Sequence, residues 1–217
     1  MTMRYLEQRE AVARAGREME DRGLTVGTSG NVSARVPEGV IITPSSIPYA
    51  EITPDDTILM DLEGTVLEGA RAPSVEHKVH LACYGFREDI GAVIHAHPTW
   101  ASAFAAARVP LPAFLDEFGV YVGDGVRVAE YAISGTQEIA DNVAAALGET
   151  SNAAFLASHG LVAVGRDLSK AMLVAREVER TAQVFIAAKL LGGHVELPDD
   201  AKQLFAQVFA YFRTQGS

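Results

Sequence analysis

The chain has 217 residues, 48% hydrophobic and 21% charged, with a formal net charge of −10 at pH 7. This balance fits a compact globular protein with a sizeable core, expected as one domain over residues 1–217. An acidic surplus without a basic cluster speaks against nucleic acid, and no run of about 18 apolar residues is present to span a membrane.

Residues 5–20 have helical periodicity, with Leu6, Val12, Ala13 and Met19 on one side and Gly23 placed to end the helix. Residues 25–31 are rich in Gly, Ser and Thr. They lead into the alternating Val32, Ala34 and Val36, a turn at Pro37-Glu38-Gly39, and a second strand over 40–43. Two more strands, 57–62 and 65–67, flank Glu63-Gly64. Ser74 stands where a helix cap belongs, and that helix runs to about Phe86. Val93-Ile94-His95-Ala96-His97 then reads as a strand, followed by a helix from about Pro98. Pro110 and Pro112 open an irregular stretch, and 136–147 returns to a helical pattern. Residues 153–164 give two short strands around His159-Gly160, and helices are expected at 169–191 and from Asp199 to Phe212. Hairpins mixed with helices imply a layered α/β domain.

The single cysteine, Cys83, cannot pair within the chain and lies in an apolar helical stretch, so it reads as a buried structural thiol. The amino terminus carries Arg4, Glu7, Arg9 and Glu10 with no apolar run behind them, and the expected setting is soluble and cytoplasmic.

The chemistry lies in the histidines. In a strand, residues i and i+2 share a face about 6.6 Å apart, so His95 and His97 can aim at one ion while Ile94 and Ala96 face a core. His159, at the end of another apolar strand, is the natural third ligand of a zinc site that keeps a fourth position open. Glu76 falls in the first turn of the preceding helix, where a carboxylate often only complements the helix dipole. Next to a metal it becomes a candidate general base, with His80 four residues on to orient it or to pack. Three polar segments, Thr28-Ser29-Gly30-Asn31, Thr43-Pro44-Ser45-Ser46 and Ser74 at a helix start, can receive an oxyanion through backbone N–H groups and hydroxyls. That would meet an anionic ligand locally on an acidic protein. Each is also ordinary turn and cap chemistry.

Gly27-Thr28-Ser29-Gly30-Asn31-Val32-Ser33, Ile42-Thr43-Pro44-Ser45-Ser46-Ile47-Pro48-Tyr49, Pro73-Ser74-Val75-Glu76, His95-Ala96-His97 and His159-Gly160-Leu161 occur in this order. The series resembles the class II aldolase/adducin superfamily, most of all its fuculose-1-phosphate aldolase branch, from about Tyr5 to Phe212. The resemblance implies a three-layer α/β/α fold around a mixed, mostly antiparallel sheet. It also implies a homotetramer with active sites near subunit boundaries, and zinc-dependent cleavage of a sugar phosphate. Carried over by residue, His95, His97 and His159 are the zinc ligands, one ion per chain. Glu76 is the catalytic acid/base, and Gly30, Asn31, Ser45, Ser46 and Ser74 form the phosphate pocket.

The chain departs from that pattern in places. Asp116, followed by Glu117, stands where the branch has a tyrosine offered from a neighbouring subunit. Phe212, beside Tyr211, stands where it has a second tyrosine, and Val75 replaces a phosphate-pocket serine. The expected reaction is cleavage of a ketose 1-phosphate, such as a fuculose or 5-deoxypentulose phosphate, to dihydroxyacetone phosphate and an aldehyde. Rivals on the same scaffold are a sugar-phosphate dehydratase, a sugar-acid phosphate decarboxylase and a 4-epimerase. A non-catalytic adducin-like module is the alternative of another class.

Overall fold

Strands such as Ala-Val-Ile-His-Ala and Gly-Leu-Val-Ala-Val-Gly carry apolar residues on both faces, so the sheet they join needs cover on both sides. In the computed structural model, which describes residues 3–214, helices supply it. The chain runs α1 (Leu6–Asp21), β1 (Asn31–Val36), β2 (Gly39–Ile42), β3 (Ile58–Met60), β4 (Val66–Glu68), α2 (His77–Phe86), β5 (Ala92–Ala96) and α3 (Thr99–Ala107). It continues with β6 (Leu111–Pro112), α4 (Asp116–Tyr121), β7 (Gly125–Ala129), α5 (Gln137–Leu147), β8 (Ala153–Leu156), β9 (Gly160–Gly165), α6 (Leu168–Leu190) and α7 (Asp199–Thr214).

Among the described residues nine strands lie in the order β4-β3-β2-β1-β5-β9-β8-β7-β6, with only β7 and β8 parallel. Val12, Met19, Ile94, Ala96, Phe104, Phe155 and Val178 join α1, α3 and α6 to one face. Val79, Val93, Ile139, Val143 and Val162 join α2 and α5 to the other. The expected α/β/α layering is therefore present, and β5 sits at its centre. On that strand Asn31 of β1 lies opposite His95 from one side and Val162 of β9 from the other.

Three local expectations differ from the structure. Leu6 is 49% exposed rather than part of the packed side of α1. The helix expected from Ser74 begins at His77, with Glu76 at its N-cap position. Ser74 instead closes a turn before it, its carbonyl accepting the His77 N–H at 3.1 Å and its hydroxyl accepting the Glu76 N–H at 3.3 Å. The stretch after Pro112 is not irregular, since it holds α4 and β7. α4 has six residues, too few to show a helical period, and β7 buries only Val126 and Ala129, so neither leaves a clear pattern.

Cys83 is fully buried as expected, and among the described residues no helix is long and apolar enough to cross a membrane.

The start of α3 follows directly on His97, and its cap comes from elsewhere. Glu179 of α6 accepts the Trp100 N–H at 3.0 Å and the Ala101 N–H at 2.8 Å, placing a negative charge at the helix N-terminus. Glu179→Ala should lower unfolding free energy by about 1–2 kcal/mol without changing the denaturant slope. Urea titration checks this, and an unchanged midpoint would remove the cap from the account.

Candidate active site

β5 ends at Ala96, and its period-two alternation sets His95 on the face opposite Ile94 and Ala96. His97 follows at once, its N–H bonded to the Leu24 carbonyl at 2.9 Å. His159 is delivered by the tight turn between β8 and β9, where Ser158 takes a positive φ of 57°. The three rings meet with centroids 4.7, 4.8 and 4.8 Å apart, and their ligating atoms lie within 4.8 Å of one another.

Two glycines permit this meeting. A Cβ on Gly160 would come within 2.6 Å of both the Ala96 carbonyl and the His97 ring. A Cβ on Gly30, which has φ 78°, would come within 2.6 Å of the His95 carbonyl.

Glu76 enters from the start of α2. Its Oε2 lies 3.1 Å from His95 Nε2 and its Oε1 lies 3.4 Å from His159 Nε2. Burial would raise the pKa of this carboxyl, but the hydrogen bond and charge that His95 offers when its ring is protonated, with the Ser134 hydroxyl, outweigh burial and hold it below the usual carboxylate range. Oε2 accepts from Asn31 Nδ2 at 2.9 Å and Oε1 accepts from Ser134 Oγ at 2.7 Å. Sequence reading missed Ser134, which lies in a segment with no period to flag it. It gave Asn31 only to the anion-binding loop. His80 reaches Glu76 through Asn31, whose Oδ1 is 2.5 Å from His80 Nε2.

The three polar segments are neighbours in space. Thr43 bonds to Val32 through its backbone and hydroxyl, the Ser74 N–H donates to the Thr43 carbonyl, and the Ser45 N–H donates to the Ala72 carbonyl. Ser45 is half-buried, while Ser46 is exposed with φ 62°, its hydroxyl 3.2 Å from that of Ser45. Asp116 and Glu117 lie exposed in the first turn of α4, which packs on α6 and α7, and Asp116 is not part of the histidine cluster. Val75 is 64% exposed beside Glu76.

The donor set fits a cation. His95 Nδ1 lies 3.0 Å from the Leu161 carbonyl, so that nitrogen carries the proton and Nε2 presents a lone pair. That lone pair faces His97 Nε2 at 2.9 Å and the Glu76 carboxylate, an arrangement of acceptors that a positive ion between them would reconcile. In tetrahedral zinc, ligand atoms about 2.0–2.1 Å from the metal stand roughly 3.3–3.4 Å apart; here His95 Nε2 and His97 Nε2 are 2.9 Å apart and all three ligating atoms fall within 4.8 Å.

We expect about one divalent cation per chain by elemental analysis, lost in His95→Ala and His159→Ala and more easily chelated in Gly160→Ala. A metal-free native protein would contradict this. Acid should act on the same rings. Burial, with the charges of His95 and His159, pushes His97 down to about 4, and burial lowers His159 too. The unfolded chain then binds more protons than the folded one, so through these rings metal-free stability should fall as pH drops from 6.5 to about 4, and the lowered Glu76 carboxyl extends the fall below that. Denaturation at stepped pH tests the sign; stability rising across that interval would refute it.

The family model described as Class II Aldolase and Adducin N-terminal domain matches residues 10–186. A 5-deoxy-D-ribulose 1-phosphate aldolase of Bacillus thuringiensis is 36% identical over 211 residues, covering 96% of this chain and 98% of that protein. An L-fuculose phosphate aldolase of Escherichia coli is 36% identical over 199 residues, covering 92% and 91%. A solved L-fuculose 1-phosphate aldolase superposes with a TM-score of 0.90 at 40% identity, covering 97% of this chain and 98% of that one. With the histidine cluster in place and these matches spanning nearly its whole length, the chain belongs to the class II aldolase and adducin N-terminal domain family.

Proposed function

We propose that this protein is a zinc-dependent aldolase that cleaves a ketose 1-phosphate, of the 5-deoxypentulose or fuculose type, into dihydroxyacetone phosphate and an aldehyde. The observation that carries the reading is the Glu76 carboxylate held 3.1 and 3.4 Å from two nitrogens of a three-histidine cluster. The names of two relatives, a 5-deoxy-D-ribulose 1-phosphate aldolase and an L-fuculose phosphate aldolase, support the substrate class, a sugar phosphate.

Breaking a carbon–carbon bond beside a ketone leaves an enediolate, and its negative charge has to be stabilised. His95, His97 and His159 would hold a zinc ion, which would supply that stabilisation as a Lewis acid. Glu76 returns a proton to the carbon left behind, and in the reverse direction removes it from dihydroxyacetone phosphate. Gly30, Ser45, Ser46 and Ser74 receive the phosphate through backbone N–H groups and hydroxyls, which answers the net charge of −10 without a lysine, while Asn31, expected among them, gives its buried amide to Glu76 and His80. Asp116, exposed on α4, is assigned to proton exchange at the aldehyde oxygen of a neighbouring subunit in a cytoplasmic homotetramer.

Glu76→Gln should abolish exchange of the carbon-bound proton of dihydroxyacetone phosphate with deuterated water while metal content is kept. Undiminished exchange would end the base assignment. Asp116→Asn should lower turnover on the matched ketose 1-phosphate by about 10²-fold or more while leaving that proton exchange intact. Wild-type turnover would take Asp116 out of the reaction. A panel of ketose 1-phosphates and sugar-acid phosphates, read for dihydroxyacetone phosphate, carbon dioxide and dehydrated product, separates the aldolase from its rivals.

A further inference from the structure

Behind Glu76 a file of buried polar groups runs into the core between α2 and β1. Asn31 Nδ2 is 2.9 Å from Glu76 Oε2, and Asn31 Oδ1 is 2.5 Å from His80 Nε2. His80 Nδ1 is 2.6 Å from Ser33 Oγ, which is 2.8 Å from the Tyr84 hydroxyl. Asn31, Ser33, His80 and Tyr84 are each no more than 3% exposed, so bulk solvent does not reach them.

Against an ionised carboxylate, one arrangement of protons satisfies the whole file. Asn31 must turn its N–H to Oε2, because its carbonyl there would oppose one acceptor to another. Its Oδ1 then needs a donor, which makes His80 the Nε2–H tautomer. Nδ1 of that ring accepts from the Ser33 hydroxyl, and Ser33 accepts from Tyr84. Burial pushes His80 down to about 3, so the ring is neutral and has a single proton to place. The other carboxylate oxygen has a different neighbour. Ser134 Oγ, 2.7 Å from Oε1, is a hydroxyl that can turn from donor to acceptor by rotating one bond.

We propose that Asn31, His80, Ser33 and Tyr84 form a directional positioning chain that reserves Glu76 Oε2 as an acceptor, so that the proton taken from substrate carbon is carried on Oε1 beside Ser134. The inference rests on the reading of Glu76 as the base. In the step, the substrate C–H bond breaks, its electron pair stays on the substrate as the enediolate, and the proton forms an O–H bond at Oε1. Ser134 then rotates to accept from it, and the return to carbon is the reverse. Protonating Oε2 instead would aim its O–H at Asn31, which keeps its own N–H turned to that oxygen, or at His95 Nε2, the nitrogen committed to the cation, so that this proton would find no free acceptor.

Nitrogen-15 NMR of the His80 ring tests the direction independently of turnover. The expected result is the Nε2–H tautomer from pH 6 to 8, and an Nδ1–H tautomer overturns the proposal. Kinetically, His80→Phe should lower kcat for proton exchange by about 10- to 100-fold with KM changed less than about threefold. His80→Gln, whose amide can still donate to Asn31, should recover most of the loss. Equal losses in His80→Phe and His80→Gln would assign His80 to packing alone and overturn the chain. Should His80→Phe not fold, Tyr84→Phe and Ser134→Ala decide: reductions of about threefold and tenfold are expected, and values within twofold of wild type for both refute the proposal. Exchange surviving in Glu76→Gln defeats the base assignment itself. Exchange lost in Glu76→Gln but unaffected in His80→Phe defeats only the chain.

Discussion

The structure turns on a crowding of lone pairs that would be unfavourable without a positive charge among them. Imidazole nitrogens from β5, from the residue just past it and from the β8–β9 turn converge with a carboxylate from the start of α2. Each arrives from a different part of the chain, so the fold has to hold them together. It does so by placing β5 between β1 and β9 in the middle of the sheet, where Asn31 and Val162 flank His95. Gly30 and Gly160 leave out the side-chain atoms that would keep these backbones apart.

The same constraint explains the polar core beneath Glu76. A buried carboxylate is tolerated only with partners for both oxygens, and a partner such as Asn31 is itself tolerated only if its other end is satisfied. Meeting that requirement takes Asn31, His80, Ser33 and Tyr84 in succession until the file ends at a hydroxyl. The site thus reaches from the histidines across the width of β1 into the packing of α2.

How much of this is legible in the sequence follows from the range of each interaction. His95-Ala96-His97 is readable because a strand's period of two fixes both rings on one side, and the fold class follows from hairpins alternating with helices. Glu76 is visible next to Ser74, although the helix starts three residues after Ser74 and the carboxylate turns to the histidines rather than to the helix N–H groups. Ser134 left no trace. Its value comes from the fold-back of the segment before α5, where Gly135 comes against the Val75 carbonyl, a contact no local pattern encodes. α4 and β7 were hidden for a related reason: they are short and take their stability from neighbours rather than from an apolar period of their own.

The most direct test of the central claim is anomalous diffraction from crystals of the protein as isolated, collected on both sides of the zinc absorption edge. The account predicts one anomalous peak per chain, within bonding distance of Nε2 of His95, His97 and His159 and present only above that edge. A peak bound elsewhere, or density showing the three rings turned away from a common point, would contradict it.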